Sequence, residues 1–199
     1  MKPDRPSGQE SRVAAGLPWT GDGVLLRWLE PRDLDRLVEY RNLEAVWSLQ
    51  DWDVPYPRER AEQLLPIDRG ILEIGAWTQL AIEHDGRLAG DVAILVPRSG
   101  EDAWIGYSLH PDSWGRGIAV RGVGVVVDRL FRFGALRIRA GVDSRNRASI
   151  RLLERLGFRR ETDTMRTVIR GEVYDDDVYC LSRESPSGDP LGAVGTDGS

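Results

Sequence analysis

The chain has 199 residues, of which 41% are hydrophobic and 30% charged, and it carries a net charge of −5. That length suits one domain with tails, no apolar run approaches the roughly 20 residues that cross a bilayer, and the acidic balance argues against general nucleic-acid binding. Cys180 is the only cysteine and His84 and His110 are the only histidines, which excludes an internal disulfide and leaves too few ligands for a structural zinc site, so no metal is expected.

The chain opens on a polar stretch with Pro3, Pro6 and Gly8 and lacks the apolar core of a secretory signal. A disordered tail over 1–18 and a cytoplasmic address are therefore expected. Val24 to Leu29 reads as the first strand. Pro31 then suits the first turn of a helix whose apolar stripe is Leu34, Leu37 and Val38. A loop or weak helix rich in tryptophan and acid follows from Asn42 to Pro57, holding Trp47, Asp51, Trp52 and Asp53. Arg58 to Leu65 reads as a short helix. Trp77 to Ile82 and Leu88 to Val96 alternate as strands around Asp85-Gly86, a strong hairpin signal. Ala103 to Leu109 is another strand.

A tight polar turn, Pro111 to Gly117, leads into a helix near Ala119 with the stripe Val120, Val123, Val127, Leu130 and Phe131. Gly122, Gly124 and the valine run at 125–127 weaken its helical propensity. Leu136 to Val142 is a strand. Asn146 reads as the cap of a helix carrying Ile150, Leu153 and Leu156 and stopping at Gly157. Met165 to Ile169 and Tyr174 to Leu181 read as a last hairpin around Arg170-Gly171-Glu172, and Cys180 in it as a buried structural thiol. The ordered domain is expected over 19–183, with a second disordered tail over 184–199. Short turns join the early strands and helices enter between the later ones, which predicts an α/β (α+β mixed) sheet flanked by helices.

The chemistry concentrates at Trp114-Gly115-Arg116-Gly117-Ile118-Ala119, between a strand and a helix. Small residues at 115, 117 and 119 let backbone curl closely around a ligand. The first helical amides lack internal partners and sit at the positive end of the dipole, so a pyrophosphate fits there, and Arg116 adds a cation. The same pattern also serves as a plain turn. It is neither a Walker loop, since no Gly-Lys-Ser/Thr occurs, nor a dinucleotide fingerprint, since Arg121 stands where the third glycine would be. Ten arginines fall from Arg129 to Arg160, with Asp143 and Glu154 the only acids between them. They read either as solvated helix faces or as a positive field for a phosphorylated ligand or RNA.

Five ordered segments resemble the GNAT (Gcn5-related N-acetyltransferase) superfamily. They are Trp104 to Leu109, Trp114 to Ala119, Asn146 to Ser149, Leu153 to Phe158 and Gly171 to Asp175, with the Pro55-Tyr56-Pro57 loop and the Asp85-Gly86 hairpin beside them. Within the superfamily the likeness is to the branch of ribosomal-protein N-terminal acetyltransferases, and it covers about Val24 to Arg183. The resemblance implies a twisted, mostly antiparallel sheet of about seven strands, splayed between the fourth and fifth. It implies acetyl-CoA, or another acyl-CoA, as cosubstrate. Pantetheine would pair with the strand near Ser108, Leu109 and His110. The amides of Gly115, Arg116, Gly117, Ile118 and Ala119, with Trp114 at the head of the turn, would hold the pyrophosphate.

In the same resemblance Asn146 would bond the pantetheine arm, and Ser149 would face the departing sulfur as its general acid. Read from the residues alone, Asn146 serves equally as a helix cap and Ser149 as a local hydrogen-bonder. An amine would attack the thioester directly, with an oxyanion forming near the amide of Leu109 or His110. Many members carry a tyrosine general acid in the helix after the asparagine, where this chain has Leu153. Asp53, Glu73, Glu83 and Asp175 are the candidate bases. Trp52, Asp53 and Asp175 are expected at the acceptor site, where acid would attract a cationic amine: a peptide N-terminus, a polyamine or an aminosugar such as an aminoglycoside. Ribosome association through the arginines, a monomer or homodimer, and a CoA-binding sensor without turnover are further readings.

Overall fold

The structure is a computed structural model that describes residues 12–96, 102–169 and 172–183. Ten strands and five helices occupy those residues: β1 Arg12–Ala14, β2 Trp19–Gly21, β3 Val24–Trp28, α1 Leu34–Arg41, α2 Glu44–Trp47, α3 Arg58–Glu62, β4 Ile71–Glu73, β5 Trp77–His84, β6 Arg87–Leu95, β7 Asp102–Leu109, α4 Ile118–Arg132, β8 Arg137–Val142, α5 Arg147–Arg155, β9 Arg159–Ile169 and β10 Glu172–Ser182. The main sheet runs β2-β3-β5-β6-β7-β8-β10-β9, and β1 pairs β4 in a small second sheet. Every pairing is antiparallel except that of β7 with β8.

The main sheet thus has eight strands rather than about seven. The additional one, Trp19–Gly21, folds back on Val24 to Leu26 around Asp22 and Gly23. Both turn residues have positive φ, 47° and 78°, the conformation that favours Asp-Gly in two-residue hairpins. The Asp85-Gly86 turn between β5 and β6 has the same signature, with φ of 52° and 72°.

The expected N-terminal tail over 1–18 is corrected from residue 12 onward. Arg12 to Ala14 pair with Ile71 to Glu73, Ala15 is buried, and the Trp19 indole donates to the Ala15 carbonyl at 2.9 Å. Short strand pairing and one buried apolar anchor outweigh the local turn-forming composition. Residues 1–11 and the expected tail over 184–199 lie outside the described residues, as does the Arg170-Gly171 turn.

Helices α4 and α5 cover one face of the sheet. Ile118, Val123, Val126 and Leu130 of α4, with Ile150, Leu152 and Leu153 of α5, join Leu26, Leu80, Ile82, Val92 and Ile94 in the larger core. Helix α4 forms despite its glycines and valines because close packing on the sheet outweighs propensity. A Cβ on Gly122 would meet Ile82 at 3.3 Å, and one on Gly21 would meet Val125 at 2.6 Å. Leu29, Leu34, Leu37, Tyr40, Ala61 and Leu88 build a smaller core under α1 and α3 on the opposite face. Among the described residues no helix is long and apolar enough to cross a membrane.

Leu130 is fully buried between α4 and the sheet. Leu130→Ala should lower the unfolding free energy by about 2–5 kcal/mol. Urea titration should show this as an earlier midpoint with an unchanged slope.

Candidate active site

The site begins where two strands part. β7 and β8 run parallel and pair only at Asp102 with Arg137, Ala103 with Ile138 and Trp104 with Arg139. Beyond Trp104, β7 continues for five residues with β6 as its only ladder partner. This is the expected splay, between the fourth and fifth strands counted from Val24.

The register shows which groups face the gap. The His110 amide donates to the Ala89 carbonyl at 2.9 Å, and antiparallel pairs alternate between bonded and non-bonded. With Gly90 opposite Leu109 and Val92 opposite Tyr107, the amides of His110, Ser108 and Gly106 turn toward β6. Those of Leu109 and Tyr107 turn toward the gap, and that of Ile105 faces β8 at the last paired step. Of the two amides expected near the oxyanion, that of Leu109 faces the gap and that of His110 is engaged in the ladder. The Leu109 carbonyl accepts from the Trp114 indole at 3.0 Å, which ties the strand end to the turn that follows.

That turn carries Gly115 and Gly117 at φ of 70° and 72°, and Gly117 is the left-handed N-cap of α4 with no side-chain cap bond. The first intrahelical bond runs from the Arg121 amide to the Gly117 carbonyl at 3.2 Å. The amides of Ile118, Ala119 and Val120 therefore precede the ladder and carry the positive end of a 15-residue dipole. They open onto a cleft of about 850 Å³, lined also by Ser108, Leu109, Asn146, Ser149, Arg151 and Arg155.

A second cleft, of about 590 Å³, lies on the other side of the gap and shares Leu49, Gln50, Tyr107, Ser108, Asn146 and Ser149 with the first. The shared residues make the waist of one continuous channel. Asn146 caps α5 by accepting the Ser149 amide at 3.0 Å, and the Tyr107 phenol lies 2.8 Å from the Ser149 hydroxyl. Burial raises the Tyr107 phenol well above its ordinary range, and the bond to Ser149 offsets this only in part.

The floor of the second cleft holds a buried ion pair, Arg41 with Asp91. Asp91, on β6, is 1% exposed. It accepts from the Tyr40 phenol, from the Arg41 guanidinium at 2.7 Å and from the Gln79 amide. Arg41 also donates to the Tyr56 hydroxyl at 3.0 Å and stacks on the rings of Trp52 and Tyr56, 4.6 and 4.9 Å from their centroids. Burial and the Asp91 carboxylate together push the Tyr40 phenol far up, so it stays a donor.

Most of the expected cofactor residues meet in the first cleft: Ser108, Leu109, Trp114, Gly115, Gly117, Ile118, Ala119, Asn146 and Ser149. Arg116 and His110 are not in that lining. The Arg116 side chain reaches Asp85 in the β5–β6 turn at 3.5 Å. The His110 ring accepts from the Asp112 amide at 3.1 Å and lies 3.6 Å from Glu39. On the acceptor side Trp52 lines the second cleft, while Asp53 and Asp175 do not. Asp53 approaches Arg60, and Asp175 approaches Arg166, each at 3.9 Å. Glu83 pairs with Arg27 at 2.7 Å, and neither it nor Glu73 lines either cleft. Asp51, Asp91, Asp143 and Asp176 line the second cleft instead.

Sequence reasoning passed over Tyr107, Arg41 and Asp91. Tyr107 sat inside a segment read as strand and as part of the family likeness, with no role of its own, and its alternation with Ser108 was the available signal. Asp91 interrupts an otherwise apolar strand, a pattern that marks a buried charge needing partners. Among the described residues no group of three or more His, Cys, Asp or Glu is arranged to hold a metal ion.

The family described as "Acetyltransferase (GNAT) domain" matches residues 24–159. A curated relative, "Probable N-acetyltransferase YjcK" of Bacillus subtilis, is 38% identical over 95 residues, 46% of this chain and 52% of that protein. The chain thus spans about half the length of the curated relative it matches. Mycobacterium smegmatis RimJ in complex with CoA-disulfide superposes with a TM-score of 0.61 at 22% identity, over 81% of this chain and 82% of that one. Spermidine N-acetyltransferase from Vibrio cholerae, in complex with CoA and spermine, superposes with a TM-score of 0.64 at 20% identity, over 80% and 95%.

Removing one member of the buried Arg41–Asp91 pair strands the other. Arg41→Leu should cost about 3–5 kcal/mol of stability. Adding Asp91→Leu should recover part of that loss, as denaturant midpoints of the single and double variants would register.

Proposed function

Because this chain belongs to the GNAT acetyltransferase family, we propose that it transfers an acetyl group from acetyl-coenzyme A to a primary amine. The observation that carries this reading is that the uncapped N-terminus of α4 and the unpaired edge of β7 open onto the same cleft. A pyrophosphate and an amide-bearing arm would satisfy these two sets of backbone groups together. The left-handed Gly117 holds the turn in a conformation that side chains resist, and no side chain caps the helix end. The residues present therefore suit coenzyme A. The amides of Gly115 to Ala119 would hold its diphosphate, with Arg151 and Arg155 adding charge nearby, and Leu109, Asn146 and Ser149 would line its thiol arm. The same fold holds CoA in the M. smegmatis and V. cholerae structures.

The thioester supplies an activated acyl group, so the protein's part is alignment and charge stabilisation. An amine entering from the second cleft meets the acyl carbon at the waist. Its lone pair forms the new C–N bond, the Leu109 amide stabilises the oxyanion, and the thiolate departs beside Ser149. Asp91 is an unsuitable base, because three donors already hold its carboxylate. Asp51 and Asp176, with Trp52, Trp77 and Trp104, give the second cleft an acidic and aromatic lining. That lining supports a cationic acceptor, a polyamine, an aminosugar or a peptide N-terminus, drawn by charge and by stacking on the rings. The arginines weigh less for RNA or the ribosome. Arg137, Arg139, Arg145 and Arg160 are spent in ion pairs with Asp102, Glu161, Asp143 and Asp177.

Calorimetry with coenzyme A, followed by thiol release from acetyl-CoA against polyamines, aminosugars and peptides, tests the reading. Micromolar binding and turnover with at least one cationic amine are expected; absence of CoA binding by folded protein would overturn it. Gly117→Val should weaken CoA by about tenfold or more through strain at positive φ. Asp176→Asn should raise the KM for a polyamine roughly three- to tenfold and flatten its salt dependence.

A further inference from the structure

At the waist of the channel, Tyr107 and Ser149 face each other across the splay. Tyr107 belongs to the strand that has lost its neighbour, and Ser149 to the first turn of α5. Their hydroxyls are 2.8 Å apart, and both residues line both clefts. Ser149 is held further by its backbone, which donates to the Asn146 carboxamide at 3.0 Å.

A serine hydroxyl has one proton, and its direction decides what the serine can do. If Tyr107 accepts that proton, nothing remains to meet a third group. If Tyr107 donates, the Ser149 proton is free to point into the channel. A phenol, with an ordinary pKa near 10, is the stronger donor and weaker acceptor of the two. Burial without a nearby cation keeps Tyr107 protonated throughout the working pH range. From this geometry we infer that Tyr107 is a positioning residue that donates to Ser149 and so aims the Ser149 hydroxyl at the sulfur of the bound thioester.

The inference rests on the acyl-transfer reading above. In the reaction, the amine nitrogen forms the bond to the acyl carbon, the C–S bond breaks, and its electron pair stays on sulfur. Ser149 donates a hydrogen bond to that thiolate and keeps its own proton. The surplus proton of the amine leaves to water, and water later protonates the sulfur. Tyr107 touches neither sulfur nor acyl group and keeps its proton throughout.

The test uses the full chain and its Tyr107→Phe, Ser149→Ala and double variants. Calorimetry at pH 9, where a thiol of pKa about 8.5 is mostly thiolate, compares CoA with desulfo-CoA, in which hydrogen replaces the thiol. The wild type should prefer CoA by about tenfold or more, as expected for a hydrogen bond to a charged group. Tyr107→Phe should bring that ratio close to one while desulfo-CoA affinity stays within about twofold. With acetyl-CoA and a polyamine, Tyr107→Phe should lower kcat about tenfold with KM little changed, and the double variant should match Ser149→Ala alone.

Damage to the channel in general would weaken both ligands together and would overturn the inference. So would a CoA preference that survives in Tyr107→Phe, or single losses that multiply in the double variant. A wild type that binds CoA and desulfo-CoA equally overturns this inference and leaves acyl transfer standing. A wild type that binds neither removes both.

Discussion

Past Trp104 and Arg139 two parallel strands stop pairing, and the rest of the molecule is arranged around that break. Backbone amides and carbonyls away from water need partners. A strand edge opened in the middle of an eight-stranded sheet is tolerated only where solvent, side chains or a ligand supplies them. Parts of this edge are already answered from within. The Trp114 indole takes the Leu109 carbonyl, and the Gln50 amide approaches the Tyr107 carbonyl at 3.5 Å. Other groups, the Leu109 amide among them, look into the channel. The break therefore leaves backbone groups open to a cleft, the kind of edge that can pair with another extended, amide-bearing chain.

The two faces of the sheet then contribute unlike things. On the α4 and α5 side the core is apolar, and two helix ends face the first cleft: the open N-terminus of α4, and the first turn of α5 with Asn146 and Ser149. On the α1 side a charge is buried at Asp91 and answered by Tyr40, Arg41 and Gln79. Such a cluster adds little net stability over an apolar one of the same volume. Its effect is geometric. It ties α1 to β5 and β6 directly beneath the second cleft, and it holds Trp52 through stacking on Arg41 and a bond from its indole to the Arg41 carbonyl at 3.0 Å.

Much of this was legible in the chain before any coordinates. The Asp85-Gly86 hairpin, the Gly115 to Ala119 turn and the Asn146 cap are local devices, and local devices leave local signatures. What escaped was non-local. The Asp22-Gly23 hairpin carried the same signal as Asp85-Gly86, but its first strand is three residues long and too short to show alternation. The strand at Arg12 to Ala14 exists because Ile71 to Glu73 lies beside it, which no local pattern reveals. The carboxylates that line the second cleft stand one or two residues from those expected there, Asp51 against Asp53 and Asp176 against Asp175. On a strand a one-residue step moves the side chain to the other face, so an acidic run identifies the region without identifying the residue.

Gly90 shows how the break is kept from spreading. It sits opposite Leu109 at the end of β7, where a Cβ would come within 2.8 Å of the Leu109 Cα and would also strike the Ser108 carbonyl oxygen. Any side chain there would push β7 away from β6, the one strand it still pairs with along its unpaired stretch. The close approach at Gly90, followed by the bond from the His110 amide to Ala89, keeps the end of β7 seated on β6 up to the turn at Pro111. The turn therefore starts from a fixed point, and α4 enters at a fixed place over the channel. The strand loses one neighbour but remains rigid because glycine lets the other come unusually near. A site that depends on backbone groups holding position within fractions of an ångström needs both conditions at once.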